Sequence, residues 1–135
     1  GNRLMDVQNA VLEAGGDDVP FTKESFIERS IADQHATIAV TKEFIGGYSL
    51  LVSMRSIPEL RPVRMNSHDK MSAIVAAQLH AQGANGGLAD LQTKCRLGIE
   101  MGYASLEMLF ETDFKNQEMV ILGTANALFG IIDMA

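Results

Sequence analysis

From Met119 to Met134 the chain leaves almost no polar side for a helix to turn toward water. At helical spacing, Met119, Ile121, Leu122, Leu128, Phe129 and Ile132 point in every direction, and only Thr124, Asn126 and Asp133 interrupt them. A surface helix needs one apolar stripe, so an element apolar nearly all round has to be covered on two sides. One cover is the chain's own core; the second can be another copy of the chain or a larger core of its own. Gly123, Ala125, Ala127 and Gly130 supply small surfaces that would let a partner helix approach closely, with Val120 and Ile131 at the same contact. Gly98, Gly102, Ala104 and Ser105 of the preceding helical stretch offer the same kind of surface, with Leu109 beside them, so the two stretches predict an intermolecular four-helix bundle about a two-fold axis. The apolar run is shorter than the roughly 20 residues that a membrane span needs.

The remaining chain reads as helices separated by glycine and proline. Residues 2–14 carry Leu4, Val7, Val11 and Leu12 at helical spacing, and Gly15 with Gly16 stops them. Pro20 and Thr22 prepare a second helix: the Thr22 hydroxyl can accept a bond from an unpaired backbone N–H, and Glu24 suits the first turn. From Lys23 the period runs through Phe26, Ile31, Ile38, Phe44 and Tyr48 to Val52, predicting one long helix, with a kink or a close backbone contact at Gly46 and Gly47, that ends at Pro58. Ser67 is placed to cap a third helix that ends near Gly83. A fourth spans Leu88 to Glu111, and Asp113 would cap a fifth over 115–134. No alternating β-branched run occurs, so the fold class is all-α, five or six helices in one domain over 1–135.

Charge and reactive residues narrow the function classes. A formal net charge of −6 argues against this chain, on its own, wrapping a phosphate backbone. Cys95 is the single cysteine, so no internal disulfide forms and a reducing cytoplasm is the simplest compartment. Helical metal sites place ligands three or four residues apart on one face; His35 with Asp33 lacks that spacing, His80 has no acid within a turn, and His68 with Asp69 sits where a helix is expected to start and reads as capping, which predicts no metal. Lys94 and Arg96 flank Cys95 but point to other sides of the helix, so a passive buried cysteine is expected rather than a nucleophile. Glu100, Glu107 and Glu111 fall on the fourth helix, the last two on one face, and read as a solvated acidic surface. No glycine-rich phosphate loop is present, and no cofactor or enzymatic activity is expected. The eight methionines together with aromatic residues suit an interior that adapts to apolar guests. Phe44, Tyr48, Met71, Val75, Met101 and Tyr103 are the expected ligand wall.

The stretch "LLVSMRSIPELRPVR" closing the long helix, followed by "SAIVAAQLHAQG" and two long C-terminal helices, resembles the C-terminal regulatory domain of the tetracycline-repressor (TetR) family of transcription regulators. Pro58, Glu59, Leu60 and Arg61 stand where such domains carry a "PELR"-like turn. The resemblance implies a domain that binds a small effector between its helices and forms a homodimer through its last two helices. It also implies that DNA is reached only through an N-terminal helix-turn-helix domain that this sequence does not contain. Residues 2–14 would be what is left of the connecting helix, with Gly1 at the cut. Arg55, Arg61 and Arg64 then admit two readings: they face the DNA-binding domain, or they meet exposed helix carbonyls. From another class, a helical protein–protein interaction module without a ligand cavity shares the same apolar pattern.

Overall fold

The computed structural model describes residues 6, 20–44, 46–111 and 116–134. Among these are five α-helices and no strand: α1 (Lys23–Glu43), α2 (Gly47–Ser56), α3 (Arg61–Ala81), α4 (Leu88–Glu111) and α5 (Gln117–Ile132), with a 3-10 turn at Pro58–Leu60. The fold class is therefore all-α. The helix expected over residues 2–14 lies outside the described residues except for Asp6, which is helical, and so does the expected cap Asp113.

Local chemistry sets each boundary. Thr22 caps α1 in a capping box: its side chain accepts the Ser25 N–H at 3.1 Å, and the Ser25 hydroxyl oxygen accepts the Thr22 N–H at 3.1 Å. The expected single long helix is two helices. Gly46 takes φ 71°, a left-handed conformation that glycine adopts without penalty, and the chain restarts at Gly47. A Cβ on Gly47 would collide with the Thr41 carbonyl oxygen, so the glycine pair makes a corner instead of a bend. Pro62 sits in the first turn of α3, where its missing N–H costs nothing, so α3 starts at Arg61 and Ser67 lies inside it rather than at its cap. A Schellman motif closes α3: Gly83 at φ 93° donates to His80 O at 3.1 Å, and Ala84 N donates to Leu79 O at 3.0 Å.

α3 and α4 form the most extensive helix pair, and α5 packs against both α1 and α4. α2 is a short brace touching α1, α3 and α4. Two separate buried clusters result. Ala76, Leu79, Ala84, Leu91, Cys95 and Ile132 make one, with Phe21 and Phe26 against it; Ile38, Leu106 and Ile121 make the other, with Tyr103 and Leu109 against it. They share no member.

Candidate functional site

Between the two clusters lies a half-open cavity of about 550 Å³. Its walls come from α1, α3, α4 and α5 together with Phe21, and each cluster supplies part of the lining: Leu79, Cys95 and Ile132 from one, Ile38 and Leu106 from the other. The lining is dominated by apolar side chains, as in pockets that take small organic ligands. Two glycines a turn apart on α4 treat this space differently. A Cβ on Gly98 would lie 3.1 Å from Leu128 Cδ2, whereas one on Gly102 meets nothing within 4 Å. Gly98 therefore lets α5 approach α4, and Gly102 leaves part of the cavity open.

The helices around the cavity are held by polar bonds at its edges. Gln34 Nε2 donates to Ile121 O at 3.0 Å and ties α1 to α5. Ser105 and Thr124 share a hydroxyl hydrogen bond of 2.8 Å between α4 and α5. Lys94 Nζ donates to the carbonyls of Ile132 and Met134 at the C-terminal end of α5, where positive charge meets the unpaired carbonyls of the helix. Phe21 N donates to Gln82 O at 2.9 Å, fixing the start of α1 against the end of α3. On the cavity side of α1, Arg29 Nε meets Asp33 Oδ1 at 2.8 Å, one helical turn apart. Burial raises the Asp33 carboxyl above the usual carboxylate range, and its Arg29 partner only partly offsets this.

A polar seam lies on the other side of α4, against α3. The His68 ring is 2% exposed, bonds Glu100 Oε1 through Nδ1 at 2.6 Å, and stacks on Tyr103 with centroids 4.8 Å apart. An ionised carboxylate only accepts, so Nδ1 carries the proton and Nε2 is left buried with no partner. Arg64 and Arg96 reach Glu100 at 3.8 and 3.3 Å, and Arg96 also pairs with Asp69. Burial, reinforced by the two arginines, holds the His68 pKa below its ordinary value. Burial pushes Glu100 up, but the His68 hydrogen bond and the neighbouring positive charges outweigh it and leave the carboxyl lower than usual. Tyr103 thus has one face on this seam while it also lines the cavity.

Of the six residues expected to line a ligand site, Val75 and Tyr103 do so. Met71 is fully buried and fills the core, and Phe44 packs with the second cluster. Tyr48 stacks on Phe110 at 5.5 Å, away from the cavity. Met101 is half-buried and outside the cavity lining. Among the residues expected at a dimer contact, Gly102 and Leu109 line the cavity, and Ser105 is bonded within the chain. Gly123, Ala127 and Gly130 are exposed on α5, with Val120 and Ile131 half-buried beside them. On α4, Leu97, Ala104 and Met108 are also exposed and share one face at helical spacing. Arg55 pairs with Glu107 at 3.5 Å, so two of the three arginines near the proline turn, Arg55 and Arg64, are engaged inside the chain.

The sequence reading missed the α1 wall. Arg29 and Asp33 stand four apart, a spacing common to solvent-facing ion pairs, so nothing local marks them as bordering a cavity. Burial pushes the Cys95 thiol up to about 12, so it stays protonated and is a poor nucleophile. Among the described residues no group of three His, Cys, Asp or Glu side chains is arranged to hold a metal ion, and no helix is long and apolar enough to cross a membrane. No protein-family model matches the chain, nor does any curated protein or solved structure.

Proposed function

We propose that the chain is the effector-sensing and dimerisation domain of a TetR-like transcription regulator, taking a small, largely apolar ligand. The observation that carries this reading is the apolar cavity of about 550 Å³ that divides the core, within the range of about 300–1,000 Å³ typical of small-molecule sites. A packed interior seldom keeps a space of this size without a use for it. The order of helices and the proline turn at Pro58 support the family resemblance. The uncovered stripe of Leu97, Ala104 and Met108 on α4 with Gly123, Ala127 and Gly130 on α5 supports a homodimer built as an intermolecular four-helix bundle.

In this reading the ligand bridges the two halves of the core and favours the arrangement of α1, α4 and α5 that grips it best. It shifts the equilibrium only by its difference in affinity for the two arrangements, and DNA-binding domains outside this sequence report the result from the cytoplasm. The domain itself performs no chemistry and needs no cofactor.

The test uses Nile red, an uncharged lipophilic dye, on the wild type and on Gly102→Leu. A Cβ at Gly102 meets nothing within 4 Å and Gly102 lines the cavity, so a leucine there starts into open space and takes up room a ligand would use. Saturable dye fluorescence in the wild type and at least about a tenfold weaker response in Gly102→Leu, with unchanged helical circular dichroism, is expected. Equal dye binding by both proteins would remove the cavity as the site and favour the interaction module. In parallel, light scattering should give a wild-type dimer and a monomeric Gly123→Glu, whose charge would be buried in the proposed interface.

A further inference from the structure

Of the described residues lining the cavity, three carry a charge: Glu28, Arg29 and Asp33, all on α1. The other described lining residues are uncharged, since Cys95 and Tyr103 are both held in their protonated forms by burial. The described lining is thus net negative, and Arg29, its one cation among those residues, is engaged with Asp33 at 2.8 Å. The two partners of this pair differ in exposure. The Arg29 side chain is 38% exposed and the Asp33 side chain 22%. An anionic guest would have to take Arg29 and leave the more buried carboxylate without its partner. A cationic guest would take Asp33 and leave the guanidinium, the more exposed of the two charges, to its other contacts and to water. Breaking the pair is therefore cheaper in the second direction, because the cost falls on whichever charge is left desolvated. Glu28, exposed at the rim, adds a second negative charge along the approach. Phe21, Phe26 and Tyr103 supply aromatic faces in the same lining, and ring faces attract cations.

Building on the ligand-binding reading above, we infer that the cavity selects lipophilic monocations, with the ligand's positive head displacing Arg29 from Asp33 and its apolar body filling the space between the two core clusters. The selecting residues are Asp33 and Glu28; Arg29 acts as a built-in competitor. Its charge keeps Asp33 paired while no ligand is present, and its displacement from Asp33 accompanies binding.

The test displaces Nile red from the cavity with three probes that share one tail: decylammonium, decanol and decanoate. The expected order is decylammonium first, about tenfold tighter than decanol, as a charge-assisted hydrogen bond warrants, and decanoate last. Asp33→Asn should bring the ratio of decylammonium to decanol affinity close to one. Arg29→Gln, which removes the competitor, should widen that ratio and leave decanoate still weakest. Decanoate binding as tightly as decylammonium, or an Arg29→Gln variant that loses affinity for the cation, overturns the charge selection while the cavity reading stands. Nile red that binds but is displaced by none of the probes does the same. A wild type that fails to bind Nile red at all removes the cavity reading and this inference with it.

Discussion

α4 has two unlike neighbourhoods. Toward α3 it is joined by directional bonds: His68 to Glu100, Arg64 and Arg96 to Glu100, and Arg96 to Asp69. Toward α1 it faces apolar side chains across a cavity, and the bonds that hold this side lie at its margins, from Gln34 to Ile121 and from Ser105 to Thr124. The seam fixes α3 and α4 as one unit because each polar contact is specific in distance and angle. Apolar contact is non-directional, so α1 and α5 can enclose space without leaving any group unpaired. The difference teaches that the directional bonds of α4 concentrate on its α3 side, while its α1 side is apolar and borders the cavity. Under the ligand-binding proposal, the first is the frame and the second the wall that yields.

The same substitution on the two sides of this division should carry different costs. Leu91 is completely buried outside the cavity, while Leu106, 5% exposed, borders it. Leu91→Ala should cost about 4–5 kcal/mol and Leu106→Ala about 2–3 kcal/mol, the two ends of the range for leucine truncation. Leu106 already lacks neighbours on its cavity side, so it has fewer contacts to lose. Urea unfolding of both variants reads the difference directly. Equal costs would mean that the space beside Leu106 is closed in solution, and the comparison between a filled and an open side of α4 would collapse.

Much of the frame was legible because it depends on local chemistry. The Thr22 cap, the stop at Pro58 and the span Leu88–Glu111 follow from side-chain hydrogen bonding, a missing N–H and apolar period, which act within a turn or two of chain. Where the single long helix failed, the glycine pair decided: Gly46 turns the chain with a left-handed φ of 71°, and Gly47 then lies so close to the Thr41 carbonyl that no side chain fits there. The candidate site was less legible. Met71 and Val75 lie one turn apart on the same face of α3, yet Met71 fills the core and Val75 lines the cavity. Apolar period records that both point inward and says nothing about whether another atom meets them there. The exposed stripe on α5 was visible for the opposite reason, since small residues at 123, 127 and 130 leave a surface whose spacing can be read directly.

The seam can be probed separately by acid. His68 has a folded pKa held below its ordinary 6.5, so the unfolded chain binds the proton first as pH falls. The native state is thus favoured above pH 6.5 and loses stability as pH drops through that value toward the folded pKa; Glu100, also lowered, adds a further loss at more acidic pH. Glu100→Ala should cost about 1–3 kcal/mol at neutral pH, because it leaves both nitrogens of a buried ring unpaired. His68→Phe keeps an aromatic ring against Tyr103 and should flatten the fall in stability below pH 6.5. Thermal melts across pH check both, and an unchanged acid slope in His68→Phe would show that the seam does not carry it. Neither change should alter the preference among cavity ligands if the seam is only a frame.

The smallest expected effect compares the two glycines. Alanine in place of a helix-interior glycine gains about 1 kcal/mol from backbone propensity alone. At Gly102 nothing opposes that gain, because the added methyl enters open space, so Gly102→Ala should raise the melting temperature by about 3–5 °C. At Gly98 the new methyl would sit 3.1 Å from Leu128 Cδ2, and the strain of moving that side chain offsets the gain, so Gly98→Ala should leave the melting temperature nearly unchanged. Both substitutions alter the unfolded chain and the helix equally, so their difference isolates the space above each position. A destabilised Gly102→Ala would mean that this space is already occupied, either by a collapsed wall or by a second chain pressed against α4. A second chain would also make Gly102 the dimer contact that the sequence first suggested.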